Sequence, residues 1–364
     1  MDEPDGSDSS GFISSSHTTD LYSARDVSVD EGVQSWATLS PTSLAEFHSI
    51  MSDDFFSFED SSSLNSFHSD NEDFEKQVNM KIKVLIMNHA EPVDDVFPFW
   101  IERNFRRRRY RRNDLNLPIT IPQREQPLSS YLKDPPITNV GRYQATLCGE
   151  ALALRRESFE YAFCSPALRC IQTCDAVLRA LGIRDTVPIK IEPGLMEYLA
   201  NPMFRDGLPR FMEREELLAA DYNIDGTYQP CLTLVRLRNY LHENMFSHYS
   251  RKSATMSNIL RFVEKKGGGR ILLVGYSTTL DACTRELLRE RESQERQELN
   301  ELIPTNPFQE MIEITRRVKY CSTILLQGIN GDWKLHRGPL HCVTHLDNAY
   351  FNYRVLTGRY SNNP

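Results

Sequence analysis

The spacing of apolar residues predicts alternating strands and helices from Lys81 onward. Val84 to Met87 and residues 270–275 contain unbroken apolar runs, which are typical of strands covered on both faces of a parallel sheet. Shorter strands are predicted at 161–164 and 187–192, and a closing hairpin is predicted at 322–327 and 332–336. Helical patterns are predicted at 138–156, 167–181, 211–220, 232–247, 255–266 and 279–291. The stretch between the first strand and about residue 136 is rich in arginine and proline and is predicted to be irregular. This order predicts an α/β domain with a mostly parallel central sheet and helices on both faces.

Polar side chains follow three of the predicted strands. His89 follows the first strand, Ser165 and Arg169 follow 161–164, and Tyr276 follows 270–275. The carboxyl ends of parallel strands meet at one edge of a sheet, so these groups are expected to share a pocket. Ser277 or Thr278 is a suitable N-cap for a helix that begins near Thr279, where free N–H groups would favour an anion.

Charge divides the chain of 364 residues into two parts. Residues 1–80 hold 17 acidic residues against Arg25 and Lys76, whereas residues 81–364 hold 40 basic and 33 acidic residues. The first part is rich in serine and has no sustained apolar period, so it is predicted to be a disordered acidic tail. Residues 81–364 are predicted to form the folded domain.

Cysteine usage and hydropathy bear on the location of the protein. The eight cysteines follow no zinc or disulfide spacing, so they are interpreted as buried free thiols in a reducing compartment. No apolar run reaches about 20 residues, and the first residues are acidic, so neither a membrane span nor a signal peptide is predicted. A cytoplasmic or nuclear protein is expected.

Several sequence blocks together resemble the histidine phosphatase superfamily, which has the phosphoglycerate-mutase-like fold. The blocks include "RNDLNLPITIP" (112–122), "DPPITNVGRYQA" (134–145), "SPALRCIQT" (165–173), "IEPGLMEYL" (191–199) and "VTHLDNAYFNYR" (343–354). The likeness covers about residues 81–358 and is strongest to the branch of suppressors of T-cell-receptor signalling and ecdysteroid-phosphate phosphatases. The resemblance implies a phosphoryl-transfer site without a metal or other cofactor.

Three functional positions of that family are retained. The resemblance implies that His89 is the nucleophile, that Arg169 binds the phosphate, and that Glu197 protonates the leaving oxygen. A structural interpretation stays open for all three, in which His89 is a satisfied strand-end histidine and Arg169 pairs with Glu197.

Three other positions are changed. Asn88 and Pro92 stand where the family has phosphate-binding arginines, and Tyr276 stands where it has a second histidine. Ala90 also replaces the glycine after the nucleophile. Phosphoryl transfer depends on fixed cations around the moving charge, and tyrosine is neutral near pH 7. We therefore expect a pseudophosphatase that works as a binding, scaffolding or regulatory protein. The alternative is a weak phosphatase for phosphotyrosine or small phosphomonoesters, with His89 as nucleophile and Glu197 as acid.

The arginine run at residues 103–112 offers a further hypothesis. Its candidate polyanion patch consists of Arg106, Arg107, Arg108, Arg109, Arg111 and Arg112. Such a run can bind phosphates, act as a nuclear address or dock acidic proteins, and Tyr110 within it could stack on a base. A solvated loop, and pairing with the acidic tail, are the alternatives. Direct nucleic-acid binding is not favoured, because no nucleic-acid module accompanies the run. The expected partners are proteins or a phosphorylated ligand, and the resemblance makes a homodimer an option.

Overall fold

The computed structural model describes residues 80–125, 127–292 and 307–336. The predicted acidic tail and the block at 343–354 lie outside the described residues, apart from Met80 at the end of the tail.

The chain alternates strands and helices in the predicted order. The strands are β1 (Lys81–Asn88), β2 (Phe105–Arg106), β3 (Arg109–Tyr110), β4 (Tyr161–Cys164), β5 (Ile189–Ile191), β6 (Gly269–Gly275), β7 (Thr323–Ile329) and β8 (Asp332–His336). The helices are α1 (Val93–Val96), α2 (Trp100–Asn104), α3 (Ser130–Lys133), α4 (Asn139–Leu154), α5 (Leu168–Ala180), α6 (Arg214–Ala219), α7 (Leu234–Leu237), α8 (Met245–Glu264), α9 (Ser277–Glu292) and α10 (Pro307–Arg317).

Six strands form one mixed sheet in the order β5-β4-β6-β1-β7-β8. The pairs β5–β4, β4–β6 and β6–β1 are parallel, whereas β7 runs antiparallel to both β1 and β8. The mostly parallel α/β sheet predicted from the sequence is confirmed, and the closing hairpin lies at one edge. A separate two-stranded ribbon joins β2 to β3.

Both faces of the sheet are covered, which explains the unbroken apolar runs. On β1, Leu85 and Met87 pack with α4 and α5 in one core, whereas Val84 and Ile86 pack with α8, α9 and α10 in another. Successive strand residues point to opposite faces, so a strand buried on both sides needs apolar residues at every position.

Two helix predictions at residues 232–266 are wrong in their boundaries. The predicted helices at 232–247 and 255–266 are instead the single turn α7 and the continuous 20-residue helix α8. The pattern broke in the middle of α8 because His248 and Lys252 occupy its buried face, where apolar residues were expected. Their polar atoms are satisfied inside the protein, so the helix continues through them.

Other local predictions also need correction. Helix α9 begins at Ser277, so neither Ser277 nor Thr278 is the residue before the helix; the hydroxyl of Thr279 accepts instead from the backbone N–H of Tyr276 at 3.0 Å. Helix α10 was not predicted, although its buried Ile314 lies four residues before the buried Val318. The stretch predicted to be irregular contains α1, α2, α3 and the β2–β3 ribbon, which pack around a small cluster that includes Trp100 and Tyr131.

Candidate functional site

The three polar strand ends meet at one edge of the sheet, as the sequence indicates. The backbone N–H of His89 donates to the Gly275 carbonyl at 2.9 Å, and that of Ser165 donates to the Val274 carbonyl at 3.1 Å. The loop before β7 also reaches this edge, because the Cys321 N–H donates to the His89 carbonyl at 3.1 Å. His89 therefore lies between the end of β6 and the loop before β7, and Ser165 lies on the other side of β6.

The environment of His89 selects one neutral tautomer. Its Nδ1 lies 2.8 Å from the Ala90 carbonyl oxygen, which can only accept, so Nδ1 carries the hydrogen and Nε2 keeps its lone pair. Burial, together with the positive charge of Arg169, lowers the pKa of His89 to about 3. The ring packs nearly perpendicular to Tyr276, with centroids 5.4 Å apart, and lies 5.8 Å from the Tyr320 ring. A neutral imidazole with a free Nε2 is the chemical form that a nucleophile requires.

The segment after His89 is held by hydrogen bonds from two helices. The Ala90 N–H donates to the Thr173 hydroxyl at 2.9 Å, and that hydroxyl donates to the Arg169 carbonyl at 2.7 Å. The Glu91 carboxylate accepts from the Thr138 hydroxyl at 2.7 Å, while its carbonyl accepts from the Thr138 N–H at 2.8 Å. The backbone around His89 is thus anchored to α4 and α5.

Arg169 and Glu197 form an ion pair in the site. Nη2 of Arg169 lies 3.1 Å from Oε1 of Glu197, and the two side chains are 7% and 22% exposed. The guanidinium carbon also lies 5.0 Å from the ring centroid of Tyr276. The structural interpretation of the sequence predicted that Arg169 pairs with Glu197, and this ion pair is present. Arg169 therefore already has a carboxylate partner.

Tyr276 is buried, and its hydroxyl contacts other protein groups. The hydroxyl donates to the Met196 sulfur at 3.3 Å and accepts from the Ser165 hydroxyl at 3.4 Å. Burial raises the pKa of Tyr276 well above its ordinary value, so the phenol stays neutral. Lys252 lies on the same ring, with Nζ 5.4 Å from the centroid.

Asn88 and Pro92, the two positions where the family resemblance implies arginines, make contacts inside the protein. The buried Asn88 side chain donates to the Lys319 carbonyl at 3.0 Å. The buried Pro92 forms a single bridge with Ile137 and precedes α1. Neither side chain offers a positive charge to His89.

Sequence reasoning missed several groups at this site. Helix α1 brings Asp94 within the electrostatic reach of Arg169 and Glu197, and burial raises the pKa of Asp94 to about 6. Tyr320 stacks beside His89 and donates a hydrogen bond to Asp95. The acidic pair Asp94 and Asp95, which follows Val93, was a signal in the sequence, but only the fold places Asp94 near Arg169.

Lys252 is a further group that the sequence did not single out. Its ammonium is fully buried and donates to the Leu195 carbonyl at 2.8 Å and to the Thr279 hydroxyl at 2.6 Å. Burial, followed by the charge of Arg251, lowers the pKa of Lys252 to about 7.

The arginine run forms a hairpin and not an irregular loop. Arg106 pairs with Arg109 across β2 and β3, and Arg107 and Arg108 form the turn. Five members of the predicted patch are exposed, but Arg112 is partly buried and donates to the carbonyls of Asp114 and Leu115. Tyr110, for which stacking on a base was a hypothesis, is partly buried in this hairpin. Its ring packs 5.6 Å from that of Phe105, and its hydroxyl donates to the Pro118 carbonyl at 2.7 Å.

The described part of the chain has no site for a metal ion and no helix that could span a membrane. No group of three or more His, Cys, Asp or Glu side chains there is arranged to hold a metal ion. No helix within the same residues combines the length and apolar character needed to cross a bilayer.

Comparison with known proteins agrees with this architecture. The sequence profile of the histidine phosphatase superfamily (branch 1) matches residues 123–301. Ecdysteroid-phosphate phosphatase of Drosophila melanogaster is 33% identical over 276 residues, which are 76% of this chain and 34% of that protein. Ubiquitin-associated and SH3 domain-containing protein B of Homo sapiens is 32% identical over 276 residues, or 74% of this chain and 40% of that protein. The chain thus spans about a third to two fifths of the length of these relatives.

A solved structure supports the same relationship. The crystal structure of the ecdysone phosphate phosphatase from Bombyx mori, in complex with tungstate, is 30% identical to this chain and superposes with a TM-score of 0.61. The match covers 71% of this chain and 93% of that one. Fold, sequence profile and sequence identity all agree, and the chain belongs to the histidine phosphatase superfamily, branch 1.

Proposed function

We propose that this protein is a pseudophosphatase, which uses a histidine-phosphatase-like domain for binding or scaffolding with little or no turnover. The observation that carries the proposal is the charge balance around His89. Of the cationic positions that the family resemblance implies, Arg169 remains, and it is paired with Glu197 at 3.1 Å. Asp94 adds a further acid within reach of the same arginine.

The chemistry of phosphoryl transfer explains why this balance opposes catalysis. Negative charge spreads over the equatorial oxygens in the transition state, and fixed cations supply most of its stabilisation. Loss of one such preorganised donor costs about 10²–10³ in rate at measured oxyanion sites. Asn88, Pro92 and Tyr276 replace three donors of this kind. Because such groups act as a unit, we expect the combined loss to be large, although it is not the product of the single losses.

The state of His89 favours a second candidate function. Its Nδ1 hydrogen is directed at the Ala90 carbonyl, so Nε2 is available to attack a phosphoryl group. Glu197 stands at the position of the acid. A weak phosphatase acting on phosphotyrosine or a small phosphomonoester would use these groups and Arg169.

Turnover of p-nitrophenyl phosphate by the full chain separates the two functions. We expect the wild-type protein and a His89→Ala variant to give the same rate from pH 5 to pH 8. The exposed His242, changed to alanine, is the matched control for a contaminating phosphatase. If the wild type and the control variant turn over the substrate and His89→Ala does not, the protein is a phosphatase and the proposal is wrong.

A further inference from the structure

A cleft of about 550 Å³ lies between the beginning of α4 and one side of α5. Its lining from α4 includes Asn139 and Arg142, which are three residues apart and therefore neighbours on the helix surface. Its lining from α5 includes Gln172, Asp175 and Arg179, which follow one another at helical spacing. Residues 119–123 and the end of α6 form the other sides. The volume is in the range of small-molecule sites, which measure about 300–1,000 Å³.

This cleft is separate from the pocket around His89. The described residues that line it include none of His89, Arg169, Glu197 and Tyr276. A ligand of the cleft would therefore bind whether or not the His89 site turns over a substrate.

Four charged side chains among the described residues line the cleft, and three of them have partners. Asp175 accepts from the guanidinium groups of Arg179 and Arg184, at 2.7 and 3.1 Å. Arg179 also donates to Asp221 at 2.8 Å. The two carboxylate oxygens of Glu216 each accept from a backbone N–H at 2.8 Å. Both acids and one of the two cations are thus engaged within the protein.

Arg142 is the fourth charged side chain of the cleft. It is half-buried, and its guanidinium makes no ion pair or hydrogen bond with any residue that the structure describes. The half-buried Asn139 side chain, one turn earlier, is likewise without a hydrogen bond in the described part of the chain. Arg142 is therefore a cation held at a cleft without an acceptor of its own.

Tyr222 adds a further donor near this cation. It lines the cleft, lies within electrostatic reach of Arg142 and is 7% exposed. Its hydroxyl accepts from Nε2 of Gln172 at 2.9 Å, and burial raises the pKa of Tyr222, so the hydroxyl keeps its hydrogen. No acceptor for that hydrogen occurs among the described residues. A guanidinium and a phenolic hydrogen together favour an anionic acceptor.

Other parts of the cleft lining are apolar. Ile119 is 68% exposed, and Ile121 and Pro122 beside it are half-buried. Ala219 and Ala220 line the side formed by the end of α6, where their short side chains leave room. Small-molecule sites typically combine apolar walls with a few polar groups that fix the orientation of the ligand. The lining therefore suits a ligand with an apolar body and one anionic group.

We propose that this cleft binds a small monocarboxylic acid with an apolar body, and that its carboxylate pairs with Arg142. A guanidinium binds a carboxylate in a bidentate manner, and the same carboxylate can accept from the Tyr222 hydroxyl. A monoanion is favoured over a phosphate dianion, because Asp175 and Glu216 line the same cleft and would repel the additional negative charge.

Isothermal titration calorimetry with the full chain and 1-naphthoate tests the role of Arg142. This probe carries one carboxylate on an apolar body of two rings. We expect saturable binding to the wild type and at least about tenfold weaker binding to Arg142→Gln, because a hydrogen bond between charged groups is lost. The matched control Arg238→Gln removes an exposed arginine that does not line the cleft and should bind like the wild type. The proposal is wrong if the wild type does not bind, if Arg142→Gln keeps its affinity, or if both variants lose affinity equally.

A bulky residue tests the location of the probe. Ala219 is exposed and lines the cleft, so Ala219→Trp should block 1-naphthoate binding at an unchanged melting temperature. Ala153→Trp, at an exposed position of α4 that does not line the cleft, is the matched control and should bind like the wild type. Unchanged binding to Ala219→Trp would overturn the assignment to this cleft. If Ala219→Trp lowers the melting temperature, the comparison of Arg142→Gln with Arg238→Gln decides.

Two analogues test the ligand class as competitors of 1-naphthoate, so that their binding elsewhere on the protein does not contribute. The neutral 1-naphthamide should compete at least about tenfold more weakly, because it lacks the charge that pairs with Arg142. At pH 8.5 the dianion 1-naphthylphosphonate should also compete more weakly than unlabelled 1-naphthoate. Equal competition by the amide would overturn the role of the carboxylate charge. Tighter competition by the phosphonate would overturn the assignment to a monocarboxylic acid.

Discussion

The hydroxyl of Tyr276 donates to the sulfur of Met196, 3.3 Å away, at the position where the family resemblance implies a histidine. The phenol is buried and neutral, and Arg169 and Lys252 lie 5.0 and 5.4 Å from its ring centroid. A neutral side chain therefore occupies this position, and its hydroxyl is bound to another side chain of the protein. A variant that restores histidine at residue 276 therefore also removes this hydrogen bond to Met196.

Restoring the family residues should restore anion binding. We expect the variant Asn88→Arg, Ala90→Gly, Pro92→Arg and Tyr276→His to bind vanadate at least about tenfold more tightly than the wild type, because each charge-assisted hydrogen bond contributes about 1.5–3 kcal/mol. Isothermal titration calorimetry measures this affinity. The matched control places the same charges at exposed positions, with Asn239→Arg, Pro98→Arg and Tyr143→His. No gain over that control would mean that the pocket has diverged beyond these four positions.

Asp94 should make anion binding depend on pH. The pKa of its carboxyl is raised to about 6, mainly by burial, so it is charged at pH 7 and mostly neutral at pH 5. We expect sulfate, which stays a dianion across this range, to bind more tightly at pH 5 than at pH 7. Asp94→Asn should bind equally at both values and should match the wild type at pH 5. An exposed control, Asp206→Asn, should keep the wild-type dependence. A wild-type affinity that does not change with pH would contradict this role of Asp94.

Lys252 should make stability depend on pH in the neutral to mildly alkaline range. Its folded-state pKa of about 7 lies below the ordinary value of 10.5, so between these values the unfolded chain binds more protons and stability rises with pH. The slope from this group approaches about 1.4 kcal/mol per pH unit. Chemical denaturation at pH 7 and pH 8.5 should show this gain in the wild type and a smaller gain in Lys252→Met. Equal slopes in the two proteins would mean that Lys252 is not the titrating group.

Gly141 should be essential for the packing of α4 against the segment after His89. A Cβ atom at this position would lie 2.5 Å from the Glu91 carbonyl oxygen and 2.9 Å from the Glu91 nitrogen, and backbone cannot move aside as a side chain can. We expect Gly141→Ala to lower the free energy of unfolding by about 1–3 kcal/mol, measured by urea denaturation. At Gly226 the added methyl would meet only the end of the Arg214 side chain, so Gly226→Ala should have little effect. Similar stabilities for the two variants would contradict the close approach of α4 to Glu91.

The sequence alone determined the α/β class, the order of the main strands and the edge where His89, Arg169 and Tyr276 meet. Unbroken apolar runs require burial on both faces, and parallel strands bring their carboxyl ends together, so local pattern was sufficient. Six candidate positions could be assigned by resemblance to the family, because each lies in or beside a recognisable sequence block. The sequence therefore shows which of these side chains can carry a charge, but it does not show which groups surround them.

Only the tertiary structure decided how those charges are arranged. The length of α8 depended on His248 and Lys252 being satisfied inside the protein, and a local pattern cannot show such partners. The direction of the Tyr276 hydroxyl depended on Met196, which is distant along the chain. Asp94 acquired its raised pKa only because the fold buries it beside other acids. Solvation and pairing are properties of the surroundings that distant segments create, so they followed from the packing of the chain and not from its order of residues.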